Sequence, residues 1–137
     1  YGEEILLRVV LGPQDDCFTK KGIKDFLSET FVMTNQSDRM GCKLDGPEIE
    51  YKEKADIISD GIPCGAVQVP SGGKPIIMLA DRQTTGGYAK IATVITPDIP
   101  KLVQSRPGCK VRFEAVSVRK AQRLFVKEEK YLTEVIR

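Results

Sequence analysis

The sequence predicts a mainly β fold, a barrel or sandwich with short helices at its periphery. Three observations lead there. Apolar runs are short and recur along the whole chain, at Ile5-Leu6-Leu7, Phe31-Val32-Met33, Ala66-Val67-Gln68-Val69, Ile76 to Ala80 and Ile91 to Ile95. Glycine and proline punctuate the gaps between them, as at Gly12-Pro13, Gly46-Pro47 and Pro107-Gly108. Helical spacing of apolar residues is confined to a few brief stretches. The 137 residues, 41% of them hydrophobic, read as one domain, 1–137, with enough apolar content for a core. No internal repeat and no low-complexity linker divides it.

In chain order, Glu4 to Leu11 reads as a strand with Arg8 between two apolar triplets. Gly12-Pro13 ends it, and Gln14-Asp15-Asp16 turns. Thr19 can cap a helix to about Glu29, with Ile23, Phe26 and Leu27 at i, i+3 and i+4 facing inward. Gly22 weakens that helix. Phe31 to Thr34 returns as a strand, and Cys42 to Leu44 is the next. Asp45-Gly46-Pro47 is a turn, and Glu48 to Lys54 is charged and reads as exposed. Pro63 and the glycines around it prevent a helix after Ile57-Ile58, and Ala66 to Val69 is a short strand. Pro70 to Lys74 then turns into Ile76 to Ala80. After Ile95, Thr96-Pro97-Asp98 starts a short helix over Ile99 to Gln104, with Leu102 and Val103 inward. Lys110 to Val118 alternates as a strand, with Val111, Phe113 and Ala115 buried. Ser117 caps a closing helix that turns Ala121, Leu124, Phe125, Leu132 and Ile136 inward.

Composition removes several kinds of chemistry. There is no histidine, so Ser-His and Cys-His nucleophile pairs and most zinc sites are excluded. Acid–base work falls to Asp, Glu, Lys, Tyr or Cys. Cys17, Cys42, Cys64 and Cys109 are scattered with no CxxC, the pattern of free buried thiols, with a reactive one as the alternative. No metal site is expected. A net charge of +2 gives no case for nucleic acid. No apolar run approaches the ~20 residues of a membrane span and no signal peptide is legible, so the expected location is the cytoplasm. Neither GxxxxGK[ST] nor GxGxxG occurs, so no familiar phosphate cradle is present and no cofactor-binding residues are named.

The stretch with the densest chemistry is Ala80 to Tyr88, between two apolar strands. Asp81, Arg82, Gln83, Thr84, Thr85, Gly86, Gly87 and Tyr88 are far richer in donors than a turn needs. One reading is a polar hairpin loop turned by Gly86-Gly87. The other is a binding loop for a small, polar, partly anionic ligand. Arg82 can fork two hydrogen bonds, and backbone amides beside the glycines can form an anion nest. The second dense stretch is Asn35 to Gly41. Ser37 and Asp38 can cap their own backbone there, Met40 reads as a core plug, and Arg39 can hold an anion or a neighbouring carboxylate. Asp60 is either a carboxylate base or a loop residue satisfying local amides.

Several long motifs resemble one family. They are Leu7 to Asp16 (LRVVLGPQDD), Asp38 to Glu50 (DRMGCKLDGPEIE), Ile58 to Pro70 (ISDGIPCGAVQVP), Ile76 to Ile95 (IIMLADRQTTGGYAKIATVI) and Arg106 to Ser117 (RPGCKVRFEAVS). They resemble the biotin-dependent carboxyltransferase, or allophanate hydrolase subunit 2, family, which includes the 5-oxoprolinase C-subunit (KipA) proteins and the carboxyltransferase region of urea carboxylase. Two departures stand out: Cys42 where the family often has an aromatic residue, and Ala89 where it often has proline. The resemblance implies a cyclophilin-like β-barrel that is the C-terminal half of the usual subunit. Its partners would be the N-terminal half, a KipI-like subunit and a third subunit. It implies a cleft for a small amide or lactam, lined by Arg39 and by Arg82, Gln83, Thr84, Thr85, Gly86 and Gly87, with Asp60 or Tyr88 moving protons. The implied activity is opening of 5-oxoproline to glutamate at the expense of ATP. Carboxyl transfer from biotin to a urea-like amide is the alternative within the fold. A non-catalytic regulator that binds a KipI-like kinase inhibitor is the alternative outside catalysis.

Overall fold

The computed structural model describes residues 3–12, 14–38, 40–52, 56–70, 72–79, 82 and 85–124, with backbone alone for 56–60, 85 and 86. Among the described residues nine strands form: β1 (Glu4–Leu11), β2 (Phe31–Met33), β3 (Gly41–Asp45), β4 (Asp56–Gly61), β5 (Ala66–Gln68), β6 (Ile76–Met78), β7 (Thr85–Tyr88), β8 (Lys90–Val94) and β9 (Lys110–Ala115). Seven of them close into a barrel in the order β1-β8-β5-β6-β3-β2-β9. The other two, β4 and β7, pair as a separate two-stranded ribbon. The helices are α1 (Lys20–Ser28), α2 (Ile99–Val103) and α3, a helical stretch at 118–124.

Closure happens at β1. Its residues Val9 to Leu11 pair antiparallel with β8, and Glu4 to Val9 pair parallel with β9. A closed barrel leaves no edge among its own strands and separates every strand into inward and outward residues. Leu7 and Val9 on β1, Cys42 and Leu44 on β3, Val67, Ile77, Val94, Val111 and Phe113 are buried in the core. Three aromatic rings pack together in this core. Phe26 of α1 stacks on Phe113 at 4.3 Å, and Phe31 meets Phe113 edge-on at 5.8 Å. Offset and edge-on contacts of this kind are the favourable arrangements for aromatic rings.

The expected elements are largely present, with instructive differences. The Thr19 side chain caps α1 by accepting the Gly22 N–H at 3.0 Å. Gly22 is more than a weak helix former, because a Cβ there would lie 2.5 Å from the Glu50 carbonyl oxygen. The helix therefore seats directly on the 48–52 segment. That segment is not wholly exposed: Ile49 is buried, and the Tyr51 ring lies 4.6 Å from Phe18. Gly65 takes φ +91°, and a Cβ would meet the Val94 carbonyl at 2.8 Å, so only glycine lets β5 start this close to β8. Met40, expected as a core plug, is 46% exposed, and Val103, expected inward, is 63% exposed. Ala115 is exposed because it ends β9, and Cys64 is exposed on the turn before β5. Ser117 caps α3 by accepting the Lys120 N–H at 3.1 Å. Phe125, Leu132 and Ile136 lie outside the described residues.

One ion pair ties the closing strand to the turn before α2. Asp98 is fully buried. It accepts Arg8 Nε at 2.9 Å on Oδ2 and Arg8 Nη2 at 2.6 Å on Oδ1, and the Arg8 backbone N–H at 2.7 Å. Lys101 Nζ approaches to 3.3 Å. Burial pushes the Asp98 carboxyl up, but the Arg8 hydrogen bonds and the two cations hold it below its ordinary 3.8. A carboxylate with a lowered folded-state value contributes stability above its unfolded value, lost as pH falls through the folded one. Asp98→Ala should therefore lower unfolding free energy by about 3 kcal/mol at pH 7, since it strands a partly buried guanidinium. In urea unfolding, the gap between wild type and Asp98→Asn should shrink as pH falls below about 4. A gap that is constant down to pH 2 would show that the charge on Asp98 adds nothing.

Candidate functional site

Three of the segments singled out for their chemistry meet at one place on the barrel. Gly41 pairs with Met78, and the Leu79 N–H donates to the Met40 carbonyl at 3.0 Å, joining the 34–41 loop to the end of β6. The Gly65 N–H donates to the Met78 carbonyl at 2.7 Å, which brings in the 61–65 turn. The ribbon completes the cluster: Asp60 lies opposite Gly86, Gly61 opposite Thr85 and, beyond an irregularity, Asp56 opposite Tyr88. Asp60 is thus a strand residue rather than a loop residue, and Thr85 to Tyr88 form a strand rather than a hairpin turn. Both changes have one cause: the two segments satisfy each other's backbone groups.

Arg82 anchors this region. Its half-buried guanidinium donates from Nε to the Ile62 carbonyl at 2.8 Å and from Nη1 to the Leu79 carbonyl at 3.4 Å. Its own N–H reaches the Leu79 carbonyl at 3.1 Å. These bonds fasten the 61–65 turn to the end of β6 and set where the following chain begins. Gly87 is half-buried and Tyr88 is 41% exposed. Arg39, Gln83 and Thr84 lie outside the described residues, as do the side chains of Asp60 and Thr85.

The backbone on either side of position 39 is held by side chains close in sequence. Asp38 Oδ1 accepts the Met40 N–H at 2.8 Å and the Gly41 N–H at 3.2 Å. Ser37 Oγ accepts the Lys43 N–H at 3.1 Å. The start of β8 is held from the other side. Gln14 Oε1 accepts the Lys90 N–H, and the Gln14 N–H donates to the Lys90 carbonyl, both at 3.0 Å. Burial pushes the Cys42 thiol up, outweighing the Ser37 hydroxyl 3.6 Å away, so it stays protonated and unreactive at neutral pH. Burial likewise raises Cys17.

Two polar residues beside the cluster carried no assignment from sequence. Gln68 is 5% exposed and Lys90 is 1% exposed, and they lie opposite each other across β5 and β8 where the register shifts. Gln68 sits inside an apolar strand run, which is the one sequence signal that singles it out. A buried side-chain amide in such a run needs an explanation.

A family model for the carboxyltransferase domain, subdomain A and B, matches residues 1–115. The chain belongs to this family. The membership agrees with the motifs quoted above. This carboxyltransferase-family chain is 39% identical over 132 residues to the C-subunit of 5-oxoprolinase from Haemophilus influenzae, a match covering 96% of the chain and 43% of that protein. It is 31% identical to the 5-oxoprolinase C-subunit of Escherichia coli, over 94% of the chain and 42% of that protein. The chain therefore spans less than half the length of these relatives. The solved urea amidolyase of K. lactis superposes with a TM-score of 0.88 at 23% identity, over 95% of this chain and 8% of that one, a likeness of fold. Among the described residues, no helix is long and apolar enough to cross a membrane.

Asp38→Ala should leave the Met40 and Gly41 amides without their carboxylate acceptor. The expected cost is about 1 kcal/mol, read as a lower Tm, together with faster amide hydrogen exchange at Met40 and Gly41. Unchanged exchange at those two amides would show that the turn does not depend on Asp38.

Proposed function

We propose that this domain is the C-terminal half of a protein like the 5-oxoprolinase C-subunit. In this reading it forms one wall of a cleft that binds a small amide or lactam, which is opened to glutamate with consumption of ATP. The observation that carries the reading is the 39% identity to a protein named as that 5-oxoprolinase component, over 96% of the chain. The convergence of the 34–41 loop, the 61–65 turn and the β4–β7 ribbon supports it, because separate strands hold the binding segments rigidly together.

The roles follow from donor chemistry. Arg39 and Arg82 hold negatively charged oxygen. Gln83, Thr84 and Thr85, with the backbone amides at Gly86 and Gly87, bind the amide edge and stabilise the oxyanion that develops when water attacks. Asp60 or Tyr88 takes or gives the proton. No nucleotide site is assigned among the described residues. The α1 N-terminus is capped by its own Thr19, and prolines occupy the first turns that lead into α2. No step through ATP is assigned to this chain; its place is in the full assembly, with the N-terminal half, a KipI-like subunit and a third subunit. The family's carboxyltransferase description favours a second reading. In that reading the same loops grip the ureido groups of biotin and of a urea-like acceptor.

ADP release by the full-length protein with its partner subunits, with and without 5-oxoproline, tests the first reading. Release that depends on 5-oxoproline, with glutamate appearing in step, is the expected result. No stimulation with all subunits folded would favour carboxyl transfer and call for urea-like acceptors. In the same assembly, Arg82→Ala should reduce turnover about 100-fold or more while the domain stays folded, with a lower Tm from the lost bonds to the Ile62 and Leu79 carbonyls. A lower Tm with turnover intact would make Arg82 purely structural.

A further inference from the structure

The outer face of the barrel carries an open groove of about 300 Å³ where β3 lies beside the turn into β6. Its lining includes Thr34, Gln36, Lys43, Lys74, Pro75 and Ile76. Thr34 and Gln36 belong to the loop before β3, which also reaches the candidate site. The two lysines are in different states. Lys74 Nζ donates to Asp45 Oδ1 at 2.7 Å and to the Gly46 carbonyl at 2.9 Å. Lys43 is exposed, and its ammonium makes no hydrogen bond or ion pair among the described residues. The charged residues lining the groove are Lys43, Asp45 and Lys74, so one positive charge is left over once Lys74 meets Asp45.

The groove continues toward the candidate site along one strip of the sheet. Cys42 and Ile77 face the core, so Gly41 and Lys43 on β3, and Ile76 and Met78 on β6, face outward. Lys43 pairs with Ile76 and Gly41 with Met78, two residues or about 7 Å apart along the strands. Gly41 has no side chain to divide the strip. A Cβ there would lie 3.2 Å from Ile76 Cγ2 and 3.8 Å from the Met78 sulfur, so these two side chains close over it. The strip ends where the Leu79 N–H meets the Met40 carbonyl and Arg82 donates to the Leu79 carbonyl. It therefore offers a cation, then an apolar floor, then the polar cluster. An ammonium without a counter-ion favours an anion, and its bond to a carboxylate is stronger than one to a neutral acceptor. Ile76 and Met78 are half-buried and gain by covering apolar surface.

We propose that Lys43 binds the carboxylate of a small ring-bearing acid whose apolar face lies on Ile76 and Met78 and whose other end enters the neighbouring site. Lys43 is then a specificity-determining residue that separates acids from neutral molecules of the same shape. The oxygen that becomes charged during reaction is left to Arg39 and Arg82. Taking the acid to be the substrate of that site rests on the preceding reading, whereas recognition of a carboxylate by Lys43 does not.

The test is isothermal titration of the full-length protein in its assembly with two pairs of probes. Each pair is an acid and its neutral counterpart: 5-oxoproline with 2-pyrrolidinone, and cyclopentanecarboxylate with cyclopentanecarboxamide. Wild type should bind at least one acid about tenfold more tightly than its counterpart. Lys43→Gln removes the charge and keeps part of the stem. It should bring acid and counterpart within about twofold and leave Tm unchanged, because the ammonium has no partner in the fold to lose. Lys110→Gln removes an exposed charge from β9, outside the groove, and should keep the preference. The proposal is overturned if wild type prefers neither acid, if Lys43→Gln keeps the preference, or if Lys110→Gln abolishes it equally. If 5-oxoproline is not bound but cyclopentanecarboxylate is preferred through Lys43, the carboxylate site stands and the 5-oxoproline reading falls. If 5-oxoproline drives turnover and Lys43→Gln leaves its KM unchanged, that reading stands and the proposal falls.

Discussion

β1 is hydrogen-bonded along both edges, and that double pairing is what the rest of the structure depends on. It runs parallel to β9 and antiparallel to β8, so a sheet that would otherwise end in two open edges closes on itself. Closure forces inward and outward alternation on every strand, which creates a core able to hold Phe26, Phe31 and Phe113 together. The outward residue Arg8 then becomes a fastening point. Its side chain and backbone together hold the buried Asp98, which pins the turn between β8 and α2 to the closing strand. Replacing such a pair with apolar groups can be tolerated, whereas removing one partner strands a charge.

The candidate site is a consequence of how the barrel's connections return. The loop before β3, the turn before β5 and the chain after β6 emerge close together because β3, β6 and β5 are sheet neighbours. Arg82 and the Leu79–Met40 backbone bond hold those connections in register. The β4–β7 ribbon stands outside the barrel and places position 60 opposite the glycine pair. Gln14 reaches across from the first turn to fix the start of β8, so the short polar turn after β1 has a positioning role.

Most barrel strands were legible because their apolar residues are contiguous and their turns carry glycine or proline. Thr19 and Ser117 were legible as helix caps for the same local reason. What was not legible depended on distant partners. In Asp56 to Gly61 only the pair Ile57-Ile58 is strand-like in type, and the segment is a strand through pairing with Thr85 to Tyr88. Gly22 read as a weak helical residue because the Glu50 carbonyl beside it comes from another segment. Met40 looked like core by residue type, but it sits at the tip of a turn whose backbone, through Asp38 and Leu79, holds it at the surface.

The chain's own local pattern is enough for the β-rich class, most strand and cap positions, and the family. Local spacing and residue type are enough for these, because each depends on neighbours in the chain. Only the tertiary structure decided that the barrel closes through a parallel β1–β9 pair, that Arg82 is tied to the Ile62 carbonyl, and that Gln68 and Lys90 lie buried side by side. Each of these is set by groups far apart in sequence. Burial and hydrogen-bond satisfaction belong to the assembled fold, and no local pattern encodes them.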